Sequence, residues 1–137
     1  MTNVQVAGSA ANTNTVHFVL FDVDSSTGAW SVGGVAYGNT ATFRAAVQSS
    51  WVDGFAAQAG GDTFFSSANW TVDGTSGFYA PVLATQGGDI FVIGTANVDG
   101  REHIRTFGEN IFGFEDLRAD QRSDFDYNDM IVKLTTT

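Results

Sequence analysis

"VHFVLFDVDSSTGAWSVGGVAY", residues 16–37, decides the fold class. From Val16 to Val23 it is almost unbroken β-branched, aromatic and aliphatic sequence, the composition of a buried strand. "SSTG" is a turn, and "AWSVGGVAY" (29–37) reads as a second strand in which Gly33 and Gly34 mark a bulge. Two strands joined by a short turn are the start of an antiparallel sheet.

The same grammar continues outward. "DTFFSSANWTV" (62–72), "GFYAPVLAT" (77–85) and "DIFVIGTANV" (89–98) are strand candidates, with "QGG" closing a hairpin between the last two. "EHIRTFG" (102–108) and "NIFGFED" (110–116) follow. In "MIVKLTT", Met130, Val132 and Leu134 alternate with Ile131 and Lys133, as in a half-buried final strand. Strands recurring about every ten residues predict an all-β fold, an antiparallel sandwich of jelly-roll type. One short helix is expected near 41–58, where Phe43, Val47 and Trp51 recur every fourth residue and Thr42 offers a cap. Residues 1–15 are small and polar and read as a flexible arm or an edge strand, with 16–137 as a single sandwich domain.

The chain has 137 residues, 43% of them hydrophobic, including 12 Phe, enough for one domain with its own core. Fifteen acids against six Lys and Arg give a net charge of −9. That charge opposes nucleic acid and anionic membranes as partners and suits cations. Absence of Cys removes disulfides and thiolate chemistry. No run of about 20 apolar residues predicts membrane insertion. The first 15 residues lack a basic region followed by an apolar one. The chain is therefore cytoplasmic, or exported by a route without a cleaved N-terminal signal, or a trimmed piece; of these, a secreted or cell-surface location on a bacterium is the expectation.

The chemistry concentrates in "SDFDYNDMIV", residues 123–132. Asp124, Asp126 and Asn128 place oxygens at alternate positions, Asp129 adds another, and Glu115 and Asp116 lie a few residues upstream. Hard divalent cations such as Ca²⁺ take about six to eight oxygens, several of them carboxylate. The six residues Glu115, Asp116, Asp124, Asp126, Asn128 and Asp129 are the predicted metal ligands, with Ca²⁺ ahead of Mg²⁺. Asp99, His103 and Arg105 are candidates for supporting or additional contacts. The run opens like an EF-hand loop, but its sixth position is Asp129 instead of Gly and its twelfth is Thr135 instead of Glu. The competing reading is a solvated loop paired with Arg118 and Arg122, worth about 0–1 kcal/mol per exposed pair. Phe114, Phe125 and Tyr127 interleave with the acids and are expected to pin the loop to the core, where packed carboxylates repel unless a cation or proton joins them.

Four landmarks here carry a resemblance: Asn97-Val98-Asp99-Gly100, His103-Ile104-Arg105, "GFEDL" (113–117) and "DFDYNDM" (124–130). Over roughly residues 77–135 the chain resembles the C-terminal part of the bacterial family known as domain of unknown function 4114. The resemblance implies a β-sandwich of large secreted or surface-attached bacterial proteins, many of them adhesins exported without an N-terminal signal. It also implies an association with calcium. Residues 1–76 carry no comparable likeness.

The expected function is a non-enzymatic, Ca²⁺-binding extracellular β-sandwich with an adhesive, biofilm-matrix or glycan-binding role. The alternative is a self-assembling subunit of a surface layer or filament, its N-terminal arm adding as a strand to a neighbouring copy. Catalysis is not expected: no G-x-S-x-G elbow occurs, and the acids cluster as ligands do. Trp30, Trp51, Trp70, Tyr37 and Tyr79 could stack on sugar rings, although aromatic residues in strands more often fill a core. His17, within a strand, reads as packing.

Overall fold

The computed structural model describes residues 2–8, 14–59, 66–70, 78–118, 127 and 130–136. Eleven strands and one helix are defined among them. In chain order they are β1 (Thr2–Gly8), β2 (Asn14–Val23), β3 (Trp30–Val32), β4 (Val35–Ala36), α1 (Ala41–Ser49) and β5 (Trp51–Ala59). There follow β6 (Ser66–Trp70), β7 (Phe78–Ala84), β8 (Ile90–Phe91), β9 (Ile104–Thr106), β10 (Ile111–Phe114) and β11 (Met130–Thr136).

They form two sheets. One runs β6-β1-β11-β10-β9; the other runs β4-β3-β2-β7-β8, with β5 paired to β2 beside β3. All pairings are antiparallel. Val16 and Phe18 of β2 share a buried cluster with Leu83, Phe91, Ile104, Phe114, Met130 and Val132, drawn from both sheets. The opposite face of β2 turns Val19 toward Ala80, Val82, Phe43 and Val47, so α1 covers the outside of the same sheet. Burial on both faces explains why residues 16–21 read as continuous apolar sequence instead of an alternation.

The all-β architecture with one short helix is as expected, and several details differ. The helix ends at Ser49, and Trp51 opens β5. Trp51 keeps the four-residue spacing only in sequence. Its ring stacks on His17 of β2, centroids 3.6 Å apart, so cross-strand packing overrides the periodicity. The cap is Thr40, not Thr42. Thr40 is extended (φ −133°, ψ 152°) and its hydroxyl oxygen accepts from the Phe43 N–H at 3.0 Å. Thr40→Ala is expected to cost about 1 kcal/mol, read as a fall of roughly 4 °C in the melting temperature, whereas Thr42→Ala leaves the cap intact.

Gly33 and Gly34 form no bulge. With φ of 56° and 80° they make a two-residue turn between Val32 and Val35, splitting the expected second strand into β3 and β4. The expected strand over 89–98 shrinks to β8, because Asn97 gathers the residues after it into turns. Of the expected arm or edge strand over 1–15, residues 2–8 form an inner strand, while residues 1 and 9–13 lie outside the described residues. β1 lies between β6 and β11, with Thr2 opposite both Trp70 and Thr136. Its weak hydrophobicity hid it, since backbone ladders satisfy a strand whatever its side chains.

His17 carries a pH signature. Partial burial lowers its pKa below the usual imidazole value of about 6.5. The unfolded chain then binds more protons below that value, so this contribution is complete above about pH 6.5 and is lost as the pH falls further. His17→Gln is expected to flatten the decline in melting temperature between about pH 7.5 and 5.5, relative to wild type. An unchanged slope would refute the assignment.

Candidate metal centre

The site is built at the end of β10. Phe114, fully buried, anchors that strand in the core, and the chain then turns Glu115 and Asp116 inward. Their exposures are 1% and 5%, which is unusual for two consecutive carboxylates. The backbone N–H of Glu115 donates to the His103 carbonyl at 2.9 Å. His103 returns the bond: its Nδ1 lies 2.9 Å from the Glu115 carbonyl oxygen, which can only accept, so the Nδ1–H donates. Its Nε2 meets Asp99 Oδ2 at 2.8 Å. The ring stacks on Phe91 at 3.7 Å and is wholly buried.

Asp99 is placed by a polar hub one turn earlier. Asn97, fully buried, accepts from the Val92 N–H at 2.7 Å and donates to the carbonyls of Val92, Gly94 and Arg101. Asp99 also accepts from the Arg101 N–H at 3.0 Å. Asn97, Asp99 and His103 thus form a rigid frame that ends on the Glu115 backbone.

Tyr127 comes to this frame from the acidic loop. Its backbone N–H donates to Glu115 Oε2 at 3.4 Å and its hydroxyl to the Glu102 carbonyl at 3.1 Å. The Arg105 guanidinium sits 4.0 Å above its ring. Tyr127 holds φ at 60°, a strained value for a side chain of this size, and is 5% exposed. β10 leaves room for it at Gly113, where a Cβ would fall on the Phe107 ring and on the Tyr127 carbonyl oxygen.

Of the predicted ligands, Glu115 and Asp116 are buried side by side, and Asp124, Asp126, Asn128 and Asp129 lie outside the described residues. Among the described residues no group of three His, Cys, Asp or Glu is gathered as a complete metal site. Asp99, His103 and Arg105 take supporting places: the first two brace Glu115, the third braces Tyr127. Phe125 also lies outside the described residues, while Tyr127 packs as expected. The solvated-loop reading paired Arg118 with the cluster. Arg118 instead forks onto Asp89, with Nε to Oδ2 at 2.9 Å and Nη2 to Oδ1. Arg122 lies outside the described residues.

Asn14 was not foreseen. From the start of β2, its Nδ2 donates to Asp116 Oδ2 at 2.9 Å across the two sheets. An open cleft of about 400 Å³, lined by Thr85, Gln86, Gly87, Asp89, Asp116, Leu117 and Arg118, leads to the same carboxylate. The only sign in the sequence was one asparagine beside an apolar strand, within a polar tract.

Two sheets sharing one core, with a buried carboxylate pair at one end, define an all-β domain whose polar site is part of its framework. A family model described as Domain of unknown function (DUF4114) matches residues 46–137, and the chain belongs to that family. The match begins well before residue 77, taking in the end of α1 and the whole of β5 and β6. No curated protein and no solved structure matches the chain significantly.

Proposed function

We propose that the protein is a non-enzymatic, Ca²⁺-binding β-sandwich acting outside the cell, in adhesion, in a matrix or in glycan binding. One observation carries the metal reading: Glu115 and Asp116 are buried next to each other, and Tyr127 of the Asp-x-Asp-Tyr-Asn-Asp run is seated on Glu115. Adjacent buried carboxylates repel and lose hydration, so a bound cation offsets both costs. Asp126 and Asn128 flank Tyr127 in the sequence, within the run richest in oxygen-bearing side chains. The residues fit a hard cation: every donor is oxygen, and no thiolate exists in the chain.

Bound Ca²⁺ would supply positive charge and oxygen coordination. The protein's part is to hold the donors: the Asn97–Asp99–His103 frame fixes Glu115, and Tyr127 fixes the loop. Location outside the cell and an adhesive or matrix role rest on family resemblance and on the low calcium of cytoplasm. No described helix is long and apolar enough to cross a membrane. The alternative of strand donation to a neighbouring copy would require residues 2–8 to leave β6 or β11, with which they pair. The test is thermal melting with and without chelator, in wild type, Asp126→Ala, Asp129→Ala and the control Asp73→Ala. A melt that ignores chelator would remove the calcium reading.

A further inference from the structure

We propose that Asn14 supplies a side-chain oxygen to the cation site of Glu115 and Asp116, so that the bound ion clasps the two sheets together. The inference rests on the calcium reading above and extends it to a residue outside the family's matched span.

Asn14 is 1% exposed, and its amide nitrogen is bonded to Asp116 Oδ2. Its Oδ1 is buried with no hydrogen-bond donor. An unpartnered buried carbonyl oxygen costs roughly 1–3 kcal/mol and calls for an explanation. Beside a carboxylate, a ligand that attracts both an amide oxygen and a carboxylate oxygen is a hard cation. The amide can also turn half way round its last torsion, exchanging nitrogen for oxygen against Asp116. Two oxygens facing each other then need a cation between them. In the orientation shown, the Asn14 nitrogen is satisfied by Asp116 and its oxygen calls for a cation or a water.

The mechanical consequence follows from where the residues sit. Asn14 begins β2 in the six-stranded sheet, whereas Asp116 follows β10 in the five-stranded one. A shared ion would tie the two sheets across 102 positions of sequence. The cleft lined by Thr85, Gln86, Gly87 and Asp89 also reaches Asp116, the residue to which Asn14 is bonded. Adding an oxygen ligand from β2 would make ion loading a condition for the sheets to hold together, and not for the acidic loop alone.

The test is calorimetric titration of Ca²⁺ into the chelator-stripped full chain, paired with melts in chelator and in excess Ca²⁺. Wild type, Asn14→Ala and Asn14→Asp are compared. A ligand role weakens the Ca²⁺ Kd of Asn14→Ala by about tenfold or more and shrinks its calcium-dependent rise in melting temperature. Asn14→Asp lowers the melting temperature in chelator, by repulsion with Asp116, and enlarges the rise with calcium. A purely structural or water-satisfied Asn14 lowers both melts of Asn14→Ala equally and leaves its Kd unchanged, which overturns the proposal while calcium binding stands. If Asn14→Ala does not fold, an unenlarged rise in Asn14→Asp overturns it. Wild type without calcium heat removes the underlying reading instead.

Discussion

Withdrawing calcium with EGTA is expected to lower the melting temperature by roughly 10 °C, and returning Ca²⁺ is expected to restore it. The size follows from linkage. An ion that binds only the folded state contributes about 2.7 kcal/mol at a hundredfold excess over its Kd. The direction follows from the site. Glu115 and Asp116 are held in the interior by His103, Asn14 and Tyr127 whether or not an ion is present, so without it their repulsion falls on the fold. Asp126→Ala and Asp129→Ala are each expected to melt in calcium near the temperature of chelated wild type. Asp73→Ala, outside the cluster, is expected to behave as wild type in both buffers.

Gly113→Ala is expected to cost about 2–3 kcal/mol and to weaken calcium binding in the same step. Phe107 is half exposed and its ring can swing aside, but the Tyr127 carbonyl is backbone. β10 cannot retreat, because Gly113 is paired on one side with Arg105 and on the other with Ile131. The added methyl therefore pushes Tyr127 off Glu115. Thermal melting reads the first effect and calcium calorimetry the second. A variant with lowered stability but unchanged calcium affinity would show that Tyr127 seats the loop without shaping the site. Gly108→Ala, at an open position whose φ of 137° strains any side chain, gives a control for backbone strain alone.

The sheet architecture was legible because apolar runs and turn residues follow each other at strand spacing, and β2, β7 and β11 lie close to where those runs predict them. The errors differ in origin. The His17 ring, far off in sequence, overrides the helical spacing of Trp51. Thr42 and the Gly33-Gly34 pair misled locally, next to the true cap at Thr40 and within the turn joining Val32 to Val35. β1 was missed for a further reason. Its neighbours supply its pairing, and its own sequence advertises little.

Within the site, Glu115 and Asp116 were legible as chemistry, since acids beside a core strand stand out. The roles of Asp99, His103 and Arg105 were legible only as proximity. Which atom each one meets depends on β9 lying against β10, a pairing that spacing alone does not give. Asn14 escaped notice, and Asn97 stood out only within its turn motif, because one neutral amide looks like any other polar residue until burial shows that it must be bonded.

The central claim is that this carboxylate pair belongs to a cation site. Its most direct test is calorimetric titration of Ca²⁺ into chelator-stripped wild-type protein beside Glu115→Gln, which keeps the size of the side chain and removes its charge. Saturable binding by wild type, weakened by at least tenfold in Glu115→Gln, is the expected result. Heats of dilution alone for wild type, or equal affinity in the two proteins, would contradict it.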